Sequence, residues 1–301
     1  MRYILKTFII LAGISYSITS QGQELFKNNI RQYKVKLLGE AVKLIDSEEV
    51  LSADSMEVTF KTKGYDPVHV DLKSMKKKKL SPDKIYDQVS ESIVIVSPAG
   101  RCGGLSENGV ECKRIHTYPA SGYIVNSDGI IVTNYHVVNS YTTKNNTTAR
   151  DVLLVMLKDG RSFPVEEVLM ADKSNDLAII KINPKGANLK PLPIATKDAN
   201  IGDPVYVVSH PKGYFYAFSS GMVTDKFSEI NAGQYRNLMG ISADFAAGSS
   251  GAAIIDQFGN VIGTVSYTKT LKYSDDAEKT QMVLKAIIPS SCLLKLMKEG
   301  N

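Results

Sequence analysis

The sequence is poor in several features that define common protein classes. It has only three cysteines and four histidines among 301 residues, and these do not stand at the spacings of metal ligands. No metal and no cofactor are therefore expected. Apolar residues make up 43% and charged residues 22% of the chain, which is ordinary for a globular protein and excludes both a disordered chain and a membrane bundle.

The longest apolar run is also too short for a membrane span. It lies within residues 1–22, where Arg2 and Lys6 precede an apolar stretch that ends in small and polar residues. This pattern predicts a secretory signal peptide, cleaved after Ser20 or Gly22, and a secreted or periplasmic bacterial protein. Loss of Arg2 and Lys6 lowers the formal charge from +5 to +3, too little for a nucleic-acid-binding surface.

Three short motifs supply the groups needed for nucleophilic catalysis. His136 is a candidate base, Asp176 a carboxylate that can orient it, and Ser250 a hydroxyl nucleophile between small residues. The motifs are Thr-Asn-Tyr-His-Val-Val at 133–138, Asn-Asp-Leu-Ala-Ile-Ile at 175–180 and Gly-Ser-Ser-Gly-Ala-Ala at 248–253. Their order is that of the chymotrypsin-like peptidases and differs from that of subtilisins and α/β-hydrolases.

Two further segments extend this similarity. Ala-Ser-Gly-Tyr-Ile-Val at 120–125 and Asp-Gly-Ile-Ile-Val-Thr at 128–133 lead directly into the histidine motif. With them, residues 86 to 290 resemble the trypsin-like serine peptidases, and in particular the bacterial Deg/Htr branch. The resemblance implies a serine endopeptidase acting on extended or unfolded polypeptides through a covalent acyl-enzyme.

The pattern of short strands predicts a mainly β protein. Turn residues separate apolar runs at 93–96, 122–125, 130–133, 152–157, 177–182, 204–209, 221–224, 252–255 and 261–266. We expect a chymotrypsin-like pair of six-stranded antiparallel barrels over residues 81–301, closed by a helix at 289–299. The PDZ domain of many Deg-type proteins is not expected, because the barrel and this helix occupy the residues after Ser250.

Residues 23–80 form a separate amino-terminal accessory module or pre-segment in this interpretation. Apolar residues at near-helical spacing predict a helix around 35–45, and alternation predicts strands at 58–61 and 68–72, so the module is small and α+β. Lysines 76–79 are either a solvated linker or a contact for a polyanion or membrane. Ser81, Pro82 and Asp83 then predict the start of a short helix.

The resemblance assigns an oxyanion hole to the backbone N–H groups of Gly248 and Ser250. The motif departs from the family pattern at two positions. Ala252 replaces a glycine, which catalysis tolerates if that position needs no positive φ. Ser249 replaces the aspartate with which digestive members bind a newly cut amino terminus, so activation by that route is not expected.

Substrate selectivity stays open. Asp244 stands six residues before Ser250, where trypsin has its selector for basic side chains. Ser266, Tyr267 and Thr268 resemble the strand that pairs with an extended substrate, and Thr268, where trypsin has glycine, favours small apolar side chains instead.

The cysteines and His210 have structural interpretations. Export permits a disulfide between Cys102 and Cys112 across a polar loop, with free thiols as the alternative. Cys292 lies among leucines and is expected to be buried. His210 is expected to be structural.

Two functions of different kind remain. The first is the serine endopeptidase, whose partner is a polypeptide substrate and not nucleic acid, and which has no integral membrane span after signal cleavage. The second is a catalytically weak module of the same fold that binds proteins. The sequence does not predict an oligomeric state.

Overall fold

The structure is a computed structural model that describes residues 29–47, 50–62, 66–102, 109–110, 114–142, 151–274 and 279–299. Two antiparallel barrels follow a small amino-terminal module. The module comprises α1 (Ile30–Asp46), α2 (Ala53–Thr62) and β1 (Val68–Val70), and α3 (Pro82–Val89) follows it and precedes the first barrel. The first barrel region comprises β2 (Ile93–Arg101), β3 (Ile115–Thr117), β4 (Ala120–Ile124), β5 (Ile130–Thr133), α4 (Tyr135–Thr142), β6 (Val152–Met156), β7 (Ser162–Asp172) and β8 (Leu177–Ile182). The remainder comprises β9 (Pro204–Ser209), β10 (Ala217–Asn231), β11 (Gln234–Ile241), β12 (Ala253–Ile255), β13 (Val261–Lys272), β14 (Thr280–Pro289), α5 (Ser290–Leu294) and β15 (Met297–Glu299).

Both predicted barrels are present. In the first, the strand order is β3-β2-β4-β5-β8-β7-β6, and pairing of β2 with β6 closes the ring. In the second, β10-β11-β14-β13-β12-β9 form a closed barrel. The mainly β, chymotrypsin-like fold predicted from the sequence is therefore confirmed.

A third apolar core joins the barrels. Strand β2 is buried on both faces: Val94 and Val96 point into the first barrel, while Ile93 and Ile95 belong to a cluster shared with the second barrel. Strands buried on both faces read as continuous apolar runs, which explains Ile-Val-Ile-Val at this position. The hydroxyl groups of Tyr123 and Thr264 add a buried hydrogen bond of 2.8 Å between the barrels.

The amino-terminal module packs on this framework. On α1, the buried residues Leu37, Ala41 and Ile45 recur every four positions and face the shared core. Ala53 and Met56 of α2 join the core of the first barrel. Strand β1 pairs in parallel with β15, so the module contacts the carboxyl-terminal segment as well.

Lysine 76 lies against the second barrel. Its backbone N–H donates to the Asn260 side chain at 2.7 Å, and Asn260 Nδ2 donates to its carbonyl at 3.0 Å. The helix predicted after Ser81 is confirmed as α3, with Pro82 as its first residue.

Two local predictions were wrong. Residues 58–61 belong to helix α2 and not to a strand. The final helix ends at Leu294, and Met297–Glu299 form β15 instead of its last turn. None of the helices in the described ranges is both long and apolar enough to cross a membrane.

Candidate active site

The antiparallel pairing of β5 with β8 brings His136 and Asp176 together. Thr133 at the end of β5 lies opposite Ala178 near the start of β8, so the residues just beyond these ends meet. His136 Nδ1 lies 3.0 Å from both carboxylate oxygens of Asp176, and the His136 backbone N–H donates to Oδ1 at 3.0 Å. Because a carboxylate only accepts, Nδ1 carries the proton, and Nε2 is left as the basic nitrogen.

Asp176 is held by its backbone as well as by its side chain. Its φ is +57°, a left-handed conformation that aspartate tolerates better than most residues. Its carbonyl accepts hydrogen bonds from Asn134 Nδ2 at 2.8 Å and from the Tyr135 N–H at 3.2 Å. Sequence analysis did not assign a role to Asn134, although it stands in the histidine motif.

The two side chains differ in exposure. The Asp176 side chain is 15% exposed, whereas that of His136 is 50% exposed. The imidazole is thus oriented by a partly buried carboxylate on one edge and accessible on the other. Such a pair can take up a proton from a hydroxyl and keep the resulting imidazolium oriented.

The turn at residues 248–251 packs closely against the first barrel. A Cβ on Gly251, where φ is +83°, would collide with the Ser121 carbonyl and Thr133 Oγ1. A Cβ on Gly248, where φ is +97°, would lie 2.5 Å from the His210 carbonyl. Glycine is therefore required on both sides of Ser250.

Ser121 ties this turn to β4. Its backbone N–H donates to the Ser250 carbonyl at 2.9 Å, and its hydroxyl donates to the Gly248 carbonyl at 2.9 Å. Within the described residues, the N–H groups of Gly248 and Ser250 donate to no protein atom. The same part of the chain shows no hydrogen bond between His136 Nε2 and Ser250 Oγ.

The two departures from the family motif have clear environments. Ser249 is fully buried, and its hydroxyl lies 2.9 Å from that of Ser209. Ala252 is also buried and does not adopt a positive φ, so its methyl group does not strain the turn.

The segment Ser266 to Thr268 leaves one strand edge unpaired. Strand β13 pairs with β12 no further than Thr264, and Val265 makes the last backbone bonds on that side, to Gly251 and Ala252. In the described residues, Tyr267 and Thr268 pair only with β14. Ser266 is buried and Thr268 is exposed.

Tyr267 is hydrogen-bonded to Glu229, and the Arg236 guanidinium lies 5.5 Å from the centre of its ring. Its hydroxyl donates to Glu229 Oε2 at 2.8 Å, and Arg236 bonds Glu229 Oε1 at 2.6 Å. Burial, together with the hydrogen bond to Glu229, raises the pKa of Tyr267 to about 12. The phenol is therefore neutral at physiological pH.

Asp244 does not lie at the bottom of a buried pocket. Its side chain is 86% exposed, and its carboxylate pairs with Lys285 Nζ at 2.7 Å. Lys285 lies opposite Thr268 in the β13–β14 ladder, so the two candidate selectivity residues share one neighbour.

His210 is buried beside the serine turn. Its Nδ1 accepts a hydrogen bond from the Tyr216 N–H at 3.1 Å. Burial lowers its pKa to about 3, so the ring is neutral and its proton is on Nε2.

Cys112 lies outside the described residues, and its disulfide with Cys102 stays a prediction. Cys292 is buried as expected, and burial raises the pKa of its thiol. Among the described residues, no three His, Cys, Asp or Glu side chains come together as a metal site would require.

Two antiparallel barrels with a His–Asp pair on one and a glycine-flanked serine turn on the other define a protein of the chymotrypsin-like class. Residues 120–263 match the family model described as "Trypsin-like peptidase domain". Serine endoprotease DegS of Escherichia coli (strain K12) is 31% identical over 207 residues, which cover 66% of this chain and 53% of DegS. Residues 120–263 therefore form a trypsin-like peptidase domain, and the chain is similar to serine endoproteases of the Deg type.

Two further comparisons agree. A Brucella suis biovar 1 (strain 1330) protein named "Probable periplasmic serine endoprotease DegP-like" is 35% identical over 146 residues, or 48% of this chain and 26% of that protein. The solved HtrA-type protease AlgW with decapeptide superposes with a TM-score of 0.55 at 19% identity, over 71% of this chain and 65% of that one. The match to this chain thus spans about half of the length of DegS and about a quarter of the length of the Brucella protein.

Proposed function

We propose that the chain is a serine endopeptidase that cleaves extended or unfolded polypeptides. The observation that supports this most directly is the pair of His136 and Asp176, 3.0 Å apart, just beyond the ends of β5 and β8. The turn of Ser250 packs against Thr133 at the end of β5. The relatives named as serine endoproteases agree with it.

In the proposed reaction, Ser250 Oγ attacks the carbonyl carbon of the scissile bond, and its proton moves to His136 Nε2. The negative oxygen that forms accepts hydrogen bonds from the N–H groups of Gly248 and Ser250, each typically worth about 3 to 4 kcal/mol in the transition state. His136 then passes the proton to the leaving amine, and an acyl-enzyme ester on Ser250 remains. Water, deprotonated by His136, hydrolyses this ester and restores the serine.

The substrate would bind as an added strand along Ser266 to Thr268, whose free edge ends beside the serine turn. Main-chain hydrogen bonds made there are independent of side-chain identity, which suits unfolded polypeptides. Asp244 and Thr268 stay candidates for selectivity, and the Lys285 ammonium on Asp244 weakens its suitability as a selector for basic side chains.

We also propose that the protein acts in the periplasm or after secretion. The signal-like residues 1–22 support this, and the Brucella relative is named as periplasmic.

One observation favours the alternative of a weakly catalytic binding module. The described structure has no hydrogen bond between His136 Nε2 and Ser250 Oγ, and that contact is needed for attack. In free enzymes this hydrogen bond is often long and shortens only when substrate binds. A measurement of activity therefore distinguishes the two functions.

Labelling with a fluorescent organophosphonate tests the proposal. We expect a covalent adduct on Ser250, located by peptide mapping, in the wild type and in Ser249→Ala but not in Ser250→Ala. Casein hydrolysis should follow the same pattern. A folded wild type that neither labels nor cleaves casein would support the binding module instead.

A further inference from the structure

A cleft of about 580 Å³ adjoins Gly248, and no residue of β13 lines it. Its floor and one wall come from the barrels, through β3, the loop at 212–215, Ala247 and Gly248. Its opposite wall is helix α1, through Lys34, Leu37 and Leu38. The amino-terminal module thus takes part in a surface that begins at a proposed oxyanion donor.

Helix α1 is fixed in this position by contacts of Tyr33 and Leu37. The Tyr33 hydroxyl donates to the Lys158 carbonyl at 3.0 Å, and its ring packs 5.6 Å from that of Phe215 and 5.5 Å from that of Tyr216. Leu37 is 1% exposed. These contacts therefore anchor helix α1 to the barrel on which it packs.

The cleft is apolar with a positive rim. Leu38 and Tyr118 line it and remain substantially exposed. Lys34 extends over Gly213, where an added Cβ would lie 3.0 Å from Lys34 Cε, and Lys212 lines the same opening. The lining residues include no aspartate or glutamate, so neither lysine is neutralised from within the cleft.

We infer that this cleft receives the part of the substrate that follows the scissile bond, and that Lys34 and Lys212 select acidic side chains there. The inference rests on the proposed function. A chain bound along Ser266 to Thr268 reaches Ser250 from one side of the turn. Residues beyond the scissile bond continue past Gly248, and the lining of the cleft contains no residue of β13.

Carboxylates match this rim by charge, and aliphatic groups match its floor. A charge pair on an exposed rim is worth up to about 1 kcal/mol, or about two- to fivefold in kcat/KM for each lysine, and it weakens with salt. We therefore expect a preference of about tenfold for Glu over Lys when both lysines are present.

The experiment uses internally quenched peptides with one shared sequence before the scissile bond, taken from a mapped casein cleavage site. They end in an amide, and they carry Glu, Gln or Lys at the second and third positions after that bond. We expect kcat/KM to be highest for the Glu peptide, intermediate for the Gln peptide and lowest for the Lys peptide. In 0.5 M NaCl the differences should become smaller. Lys34→Glu should lower the Glu-to-Lys ratio at least fivefold, and Lys212→Asn, which tolerates the left-handed backbone there, should lower it less.

Lys43→Glu is the matched control. It makes the same charge change on α1, but Lys43 pairs with Glu40 at 2.7 Å and does not line the cleft, so its ratio should equal that of the wild type. Equal kcat/KM for the three peptides, or an unchanged ratio in a folded Lys34→Glu variant, would overturn the inference. If the wild type then still cleaves an aminocoumarin substrate with the same sequence before the scissile bond, the proposed peptidase function is retained and only this inference fails. If the wild type neither cleaves that substrate nor reacts with the phosphonate, both the proposed function and this inference are wrong.

Discussion

The Ser121 N–H donates to the Ser250 carbonyl, and the Ser121 hydroxyl donates to the Gly248 carbonyl, both at 2.9 Å. A residue of the first barrel thus holds the turn of the second barrel at two of its carbonyl groups. Because peptide units are planar, these bonds fix the two peptide units that contain the Gly248 and Ser250 carbonyls. The peptide unit that carries the Ser250 N–H lies between them and is held from both sides.

Ser121→Ala should lower both stability and kcat. The hydroxyl also accepts from the N–H of the buried His210 at 3.3 Å, so its loss removes the partner of that N–H and of the half-buried Gly248 carbonyl, at a cost of about 1 to 3 kcal/mol in unfolding free energy. Urea unfolding and peptide hydrolysis measure the two effects. Thr264→Val, which removes the inter-barrel bond to Tyr123, should lower stability without a comparable loss of kcat. If Ser121→Ala keeps the wild-type kcat, the hydroxyl does not position the turn.

Gly251→Ala should abolish most phosphonate labelling. The new methyl group would combine left-handed strain of about 1 to 2 kcal/mol with collisions against Ser121 and Thr133. Gly259→Ala separates these effects, because Gly259 has a similar φ of +87° but its nearest neighbours, on Leu80 and Lys76, are 3.6 Å away. We expect the control to be mildly destabilised and to label normally. Normal labelling of Gly251→Ala would show that the turn accommodates the methyl group.

His210 should make the protein sensitive to acid. Its pKa is about 3 in the folded state and 6.5 as the ordinary value, so the unfolded state binds the proton first as pH falls. Its contribution to stability is complete above pH 6.5 and declines down to about pH 3, by up to about 1.4 kcal/mol per pH unit.

His210→Gln should accordingly flatten the fall in urea midpoint between pH 6.5 and pH 4. His116→Gln, a half-buried histidine on β3, should retain the wild-type slope. Equal slopes for His210→Gln and wild type would mean that this imidazole does not set the acid limit.

Deletion of residues 23–80 should lower the stability of the barrels. We do not expect removal of this segment to be required for activity. The deletion removes Leu37, Ile45, Met56 and Val70 from the cores, each worth about 1.5 to 3 kcal/mol of apolar burial. Ser249, buried against Ser209, offers no carboxylate for a new amino terminus. Thermal unfolding and hydrolysis of an aminocoumarin peptide should be compared between the intact and the truncated chain. An intact chain that is inactive until it is cut near residue 80 would contradict the prediction.

The parts of the fold that follow from local sequence were predictable. Strands β5, β8 and β9 were predicted with their observed bounds, because each is a short apolar run between turn residues. The triad candidates were found from motifs whose spacing along the chain fits two barrels. Strand β7 was missed because register shifts at Val165–Glu167 and Val168–Met170 interrupt its alternation.

The errors have a common physical cause in long-range contacts. Residues 58–61 alternate like a strand, but Ala53 and Met56 anchor that segment as a helix against the first barrel. The last helix stops at Leu294 because the following residues pair with β1, at the other end of the chain. Asp244 has the spacing of a selector, yet its surroundings, and above all Lys285, could not be inferred from its position.

The parallel pairing of β1 with β15 also sets an order of events during synthesis. A ribosome makes Val68 long before Met297, and a strand cannot complete its hydrogen bonds until its partner exists. Val68–Val70 therefore remain without their strand partner until Met297–Glu299 have been made. Assembly of this sheet therefore requires that Met297–Glu299 have been made, and a variant that lacks these residues would leave β1 without its partner.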